Sequence, residues 1–230
     1  MRPVRFGLAA AVALGLAAVT AAAQAQQVQT KESQAAMTPA AALEQLKTGN
    51  ERFAAGQSRP RNLKLQISAT AAGQYPFAAI LSCMDSRVPA EIVFDQGIGD
   101  LFSIRVAGNV VDDDNLGSLE YAVGVAGAKF ILVLGHTSCG AVKGAIDGVK
   151  LGNLTGLLEK IGPAIAASGP RHTSKDEAYV TRVARENVLL ATKEIRKRSP
   201  VIARLVEEGK VGLEGGLYDV ATGHVVFFAD

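Results

Sequence analysis

The sequence predicts an α/β fold with a mainly parallel central sheet flanked by helices, and three observations carry that prediction. Phe77–Ser82 is a short continuous apolar run, as expected of a strand covered on both faces, Leu101–Val106 is a second strand candidate, and Lys129–Leu134 is a third and the strongest. Between the second and third, Leu116, Leu119, Ala122, Val123 and Ala126 recur on a helical period, and strand, helix, strand at this spacing implies a parallel pair with a crossover. With 230 residues, 48% hydrophobic and 20% charged, the chain can bury a core of the size such a sheet needs.

The elements follow in order. Residues 1–25 read as a secretory signal peptide: Arg2 and Arg5 form a basic start, Phe6–Val19 is apolar and alanine-rich, and Ala23-Gln24-Ala25 is a small-residue cleavage pattern. The apolar run is shorter than the roughly 20 residues of a spanning helix. Cleavage removes Arg2 and Arg5, so the formal charge falls from +2 to 0, leaving no strong field for nucleic acid or for a membrane surface. The expected location is therefore exported and periplasmic. Residues 26–37 are polar and Gln-rich and read as a flexible lead-in; residues 38–230 are expected to form a single α/β domain.

Thr38-Pro39 is a helix start, and Leu43, Leu46, Asn50 and Phe53 extend an amphipathic helix over residues 39–55, ending near Gly56. Ser58–Gly73 permits an arm or a helix. After the strand–helix–strand unit, helices are expected over residues 141–149, 154–167, 175–198 and 201–208. The long third one buries Val180, Val183, Val188, Ala191 and Ile195, and Lys193, Arg196, Lys197 and Arg198 near its end suit the helix dipole. Residues 211–220 and 224–228 close the chain as two strands joined by a turn at Ala221-Thr222-Gly223.

The chemistry concentrates at two strand ends. Cys83-Met84-Asp85-Ser86-Arg87 follows the first strand, and His136-Thr137-Ser138-Cys139 follows the third, with the only other cysteine and one of three histidines. Ligands in open α/β sheets gather at the carboxyl ends of strands where the topology switches direction. Two thiolates and an imidazole suit zinc over copper or iron, and three protein ligands leave a fourth position open, as in catalytic sites. A Cys83–Cys139 disulfide is the competing reading in an oxidising compartment, but it gives no role to Asp85, Arg87 or His136. Asp85 shares a face with Cys83 in an extended segment, and Arg87 can grip its carboxylate in a forked pair. His172 and His224 read as solvated surface groups, and the glycines at 97 and 99 lack dinucleotide-loop spacing.

These residues resemble the beta-class carbonic anhydrases, whose Cys-x-Asp-x-Arg and later His-x-x-Cys motifs match Cys83, Asp85, Arg87, His136 and Cys139. The resemblance runs from about Ala42 to Phe228. It includes Gly49-Asn50-Glu51-Arg52-Phe53, Phe94-Asp95-Gln96-Gly97, Gly99-Asp100-Leu101-Phe102, Arg105-Val106-Ala107-Gly108-Asn109, Tyr218-Asp219 and Thr222-Gly223. It implies a beta-carbonic-anhydrase-like fold, a homodimer or multiple of dimers with the metal site near the interface, and one zinc ion per subunit held by Cys83, His136 and Cys139. The implied reaction is reversible hydration of carbon dioxide to bicarbonate and a proton by a zinc-bound hydroxide. Asp85 would orient that hydroxide, or become the fourth ligand in a closed state, and Arg87 would hold Asp85 away from the metal.

Regulated members carry a tryptophan where this chain has Ile80, and an arginine that Arg105 would match; the chain has no tryptophan. It resembles the plant-like subgroup, with Gln74, Phe102, Ala107, Gly108 and Tyr121 as the implied substrate pocket. Val125 stands where some members place a proton-carrying histidine. A carbon disulfide or carbonyl sulfide hydrolase on the same fold, and a non-catalytic periplasmic zinc-binding protein, are the alternative functions.

Overall fold

A computed structural model of the chain describes residues 28–228; the expected signal peptide lies outside them. Five strands form one sheet: β1 (Ala78–Ser82), β2 (Leu101–Arg105), β3 (Phe130–His136), β4 (Gly212–Tyr218) and β5 (Val225–Phe228). Their order is β2-β1-β3-β4-β5; the first four run parallel and β5 pairs antiparallel with β4. Every residue of β1 and β3 is buried, which is why those two read as unbroken apolar runs. Edge strand β2 instead alternates between buried or half-buried and exposed positions.

The pleat sends alternate residues into two cores. Ala79, Leu81, Ile131 and Val133 pack with Leu116, Leu119, Val188, Ala191, Ile195 and Ile202 on one face. Ala78, Ile80, Phe130, Leu132 and Leu134 pack with Ala42, Leu46, Phe77 and Phe94 on the other. The first face is covered by three helices, Asp113–Glu120 with a wide π turn at Tyr121–Val125, Glu177–Arg198, and Pro200–Glu207; the second is covered by Pro39–Ala54 and the short Ala90–Val93.

In chain order the α-helices are α1 (Lys31–Ala36), α2 (Pro39–Ala54), α3 (Leu63–Thr70), α4 (Ala90–Val93), α5 (Asp113–Glu120), α6 (Gly140–Asp147), α7 (Gly152–Glu159), α8 (Gly162–Ala167), α9 (Glu177–Arg198) and α10 (Pro200–Glu207). Two expectations need correction. The described part of the lead-in is not flexible chain: Thr30 and Ser33 form a capping box that starts α1. Buried Gln34 then donates from Nε2 to the carbonyls of Pro76 (2.7 Å) and Ala126 (2.9 Å), satisfying two groups beside the strand starts. The helix expected over residues 154–167 is two helices, α7 and α8, because Gly162-Pro163 breaks the run and restarts it with proline in the first turn. No helix among the described residues is long and apolar enough to cross a membrane.

Chain connections leave β1 toward β2 on one side and β3 toward β4 on the other, so the crevice beyond the carboxyl ends of β1 and β3 is the topological switch point.

Candidate metal centre

Cys83 follows β1 directly, and His136 is the last residue of β3. The turn after β3 is held by Thr137, whose N–H donates to Tyr218 O (2.9 Å) and whose Oγ1 accepts from Val220 N (3.1 Å). Ser138 takes a left-handed φ of 53°, which brings Cys139 round to cap α6 without a side-chain hydrogen bond to that helix.

The result is a tight cluster. Cys83 Sγ, Cys139 Sγ and a ring nitrogen of His136 all lie within 4.8 Å of one another, and all three residues are buried. The sulfurs are 3.9 Å apart, nearly twice the ~2.05 Å of a disulfide, so the disulfide reading does not describe this arrangement. Tetrahedral zinc with bonds of about 2.3 Å to two thiolates sets its sulfurs roughly 3.8 Å apart.

The imidazole completes the donor set. His136 Nδ1 lies 2.9 Å from Thr137 O, a carbonyl that can only accept, so the proton sits on Nδ1 and Nε2 presents its lone pair. That Nε2 is fully buried and has no hydrogen-bond partner among the described residues. A buried acceptor left open beside two thiols is what a metal ligand looks like before its ion is added. Electrostatics agree: hydrogen bonding from the Cys139 thiol lowers the Cys83 pKa, while the same bond, together with burial, pushes Cys139 up. A dication bound between them would permit both to ionise.

Asp85 stands at the rim of the cluster. Arg87 grips it as a fork, Nε to Oδ1 at 2.9 Å and Nη2 to Oδ2 at 2.8 Å, and the Arg87 N–H adds a third bond to Oδ1 at 3.0 Å. These bonds hold the carboxyl well below the usual carboxylate range, so at neutral pH it is only an acceptor. Its Oδ2 is 3.8 Å from His136 Nε2. Arg105 fixes the loop beneath, donating from Nη2 to Asp85 O (2.6 Å) and from Nε to Cys83 O (3.4 Å).

Residues 78–225 match the family profile described as carbonic anhydrase. The chain belongs to that family. Carbonic anhydrase 2 of Mycobacterium tuberculosis is 39% identical over 196 residues, covering 82% of this chain and 92% of its own length. The carbonic anhydrase of Mycolicibacterium smegmatis is 38% identical over 194 residues, covering 81% and 92%. Among solved structures, the beta-carbonic anhydrase CafA of Aspergillus fumigatus superposes with a TM-score of 0.66 at 26% identity, covering 80% of this chain and 89% of that one. A Coccomyxa beta-carbonic anhydrase, solved in complex with acetazolamide, gives 0.64 at 25%, covering 82% and 85%.

Of the residues named from sequence, the structure brings Cys83, Asp85, Arg87, His136, Cys139 and Gly108 together. Gly108 N–H donates to Cys83 Sγ at 3.3 Å, and half-buried Ala107 precedes it in the same 3₁₀ turn, Ala107–Asn109. Phe102 and Tyr121 meet edge to face, with centroids 6.1 Å apart, in a different hollow that no ligand residue lines. Gln74 is exposed in the loop before β1. His224 is exposed, and half-exposed His172 pairs with Asp176 at 3.0 Å. Sequence reasoning missed Asn187, whose Nδ2 donates to Gly108 O at 2.7 Å. Its signal was available: a polar residue four positions after Val183 and four before Ala191, on the apolar stripe of α9.

Proposed function

We propose that this carbonic anhydrase is a zinc-dependent lyase of the beta class that interconverts carbon dioxide with bicarbonate and a proton. The observation that carries the reading is the buried Cys83–His136–Cys139 triangle with an open imidazole nitrogen and a forked carboxylate at its rim. Cys83, His136 and Cys139 would hold one zinc per subunit, and bound zinc supplies a Lewis acid that brings the pKa of a water ligand to about 7.

The chain's own residues then set direction. Asp85, ionised and unable to donate, accepts a hydrogen bond and fixes the orientation of the attacking oxygen. Arg87 keeps Asp85 at the rim; without that grip the carboxylate is free to move inward and take the fourth position. Gly108 N–H and the buried wall of Val110 and Val142 around the thiolates complete a dry surround. Val125 stands where some members of the family place a proton-carrying histidine, so that position supplies no imidazole here.

The finer reading is a plant-like, exported, periplasmic enzyme working as a homodimer or multiple of dimers. Ile80 replaces the tryptophan of the regulated group, and Arg105 is engaged with the carbonyls of Cys83 and Asp85. Export rests on the pattern of residues 1–25, with residues 38–230 as the catalytic unit. Assembly rests on Leu63, Leu65 and Ile67 of α3 and on Tyr121 and Val125, all exposed, and on the separate hollow that Phe102 and Tyr121 line within one chain. A second copy would bring these substrate-pocket residues to the metal.

Stopped-flow carbon dioxide hydration from about pH 6.5 to about pH 9 on metal-analysed protein tests the reading. The wild type should turn over with stoichiometric zinc, and Cys83→Ser should lose both. Activity retained in the serine variant, or present without zinc, would sink the mechanism.

A further inference from the structure

The 3₁₀ turn Ala107–Asn109 is an unlikely-looking place to anchor a thiolate, because two successive residues take the left-handed region: Gly108 at φ 69° and Asn109 at φ 44°. Glycine is favoured at 108 by its left-handed φ, and a Cβ there would also have to displace Ile161 Cδ1, 2.8 Å away. Glycine also has the widest conformational freedom of any residue, so nothing in its own chemistry keeps its two flanking peptide planes in place. One of those planes carries the N–H that donates to Cys83 Sγ at 3.3 Å, and the other carries the carbonyl that accepts from Asn187 Nδ2 at 2.7 Å.

Asn187 is 6% exposed in the middle of α9, between Val183, Ala184, Val188 and Ala191 on its buried face. A primary amide at such a position is unfavourable unless it is hydrogen-bonded. Its donor reaches 79 residues back along the chain to the turn whose N–H donates to the first cysteine.

From this relay we infer that Asn187 is a positioning residue for the metal-binding thiolate, acting through Gly108. The inference rests on the reading of Cys83 as a zinc ligand. With the Gly108 carbonyl held by α9, the glycine cannot rotate, and its N–H stays aimed at a thiolate whose excess charge it partly offsets. Remove the amide donor and the Gly108 carbonyl loses its side-chain anchor, leaving that peptide plane held by the Asn109 N–H bond to Val106 O (2.9 Å) alone. The thiolate then loses a directed hydrogen bond without losing any atom bound to metal.

The test is Asn187→Leu, branched at the same atom, larger and unable to donate. The residue also borders a hollow of about 540 Å³ walled by Val110, Leu190 and Ala191, which gives the leucine branches room. Zinc release to a chromophoric chelator should become about 10- to 100-fold more favourable than in wild type. In the cadmium-substituted protein, scalar coupling between ¹¹³Cd and the Gly108 amide proton should be present in wild type and lost in the variant. Asn187→Ser, a smaller donor that keeps the polarity, should recover part of the coupling and the affinity.

Wild-type affinity together with wild-type coupling in Asn187→Leu overturns the inference. If that variant does not fold, the wild-type spectrum alone decides, because absence of the Gly108 coupling removes the relay. Cys83→Ser separates this failure from failure of the underlying reading: unchanged zinc affinity there would mean that Cys83 is no ligand at all.

Discussion

Asp85 and Asp95 are both gripped by arginine, and they do opposite things. Asp85 is held by Arg87, two residues away, in a pair whose arginine side chain is half exposed. Asp95 is almost wholly buried and is held from far along the chain, by Arg52 through Nε at 2.6 Å and by Arg61, with the Arg59 N–H adding a bond at 3.2 Å. Arg61 also reaches the backbone carbonyl of Asp95. The second cluster ties α2 and the segment before α3 to the loop after α4, whereas the first ties nothing to anything beyond its own turn. Like chemistry therefore separates by reach and burial: the buried, long-range pair carries stability, and the exposed local pair is free to carry function.

Substitutions at the two pairs should have opposite effects. Asp95→Asn keeps the shape and tolerates the left-handed φ of 48°, but leaves two arginines without their counter-charge. It should cost about 3 kcal/mol in chemical denaturation, toward the low end for a buried pair because both arginines keep part of their surface in water. Turnover per zinc-loaded folded molecule should stay at the wild-type value. Arg87→Ala should do the reverse, with stability nearly unchanged, stoichiometric zinc, and turnover lower by about 100-fold, the order expected when a positioned group moves by an ångström. If Arg87→Ala unfolds the protein, or Asp95→Asn slows the folded enzyme, reach and burial are not what divides the two pairs.

The same distinction explains how much was legible beforehand. Strands β1, β2 and β3 and the ligand triangle were readable because each leaves a local trace: an apolar run, or a motif within a few residues of a strand end. Helix α2 was readable from Thr38-Pro39 and its apolar spacing. Gln34, Asn187 and the Asp95 cluster were not read, since each is a polar side chain whose partner lies tens of residues away, at 42, 79 and 43 positions respectively. Local pattern marks such residues only as polar, and Gln34 was accordingly read as flexible chain. The break at Gly162-Pro163 was written in the sequence, but the apolar period continues across it and hides it. Phe102 and Tyr121 lie apart from the triangle within one chain, so their role depends on geometry that a single chain does not contain.

The smallest expected effect sharpens the comparison from the side of pH. Arg87 lowers the folded pKa of Asp85, so the carboxylate's contribution is fully present above the ordinary carboxylate value of about 3.9 and is lost only as pH falls through the lower folded value. Between about pH 5 and about pH 9 Asp85 does not change charge. Denaturant midpoints of wild type and Asp85→Asn should therefore differ by a constant across that range and converge only in stronger acid. Both proteins keep the same metal ligands, so the difference isolates this one group. A gap that widens in favour of the wild type between pH 8 and pH 6 would mean that folded Asp85 takes up a proton there, in which case the Arg87 fork opens near neutrality and the rim carboxylate is a pH-driven gate rather than a fixed acceptor.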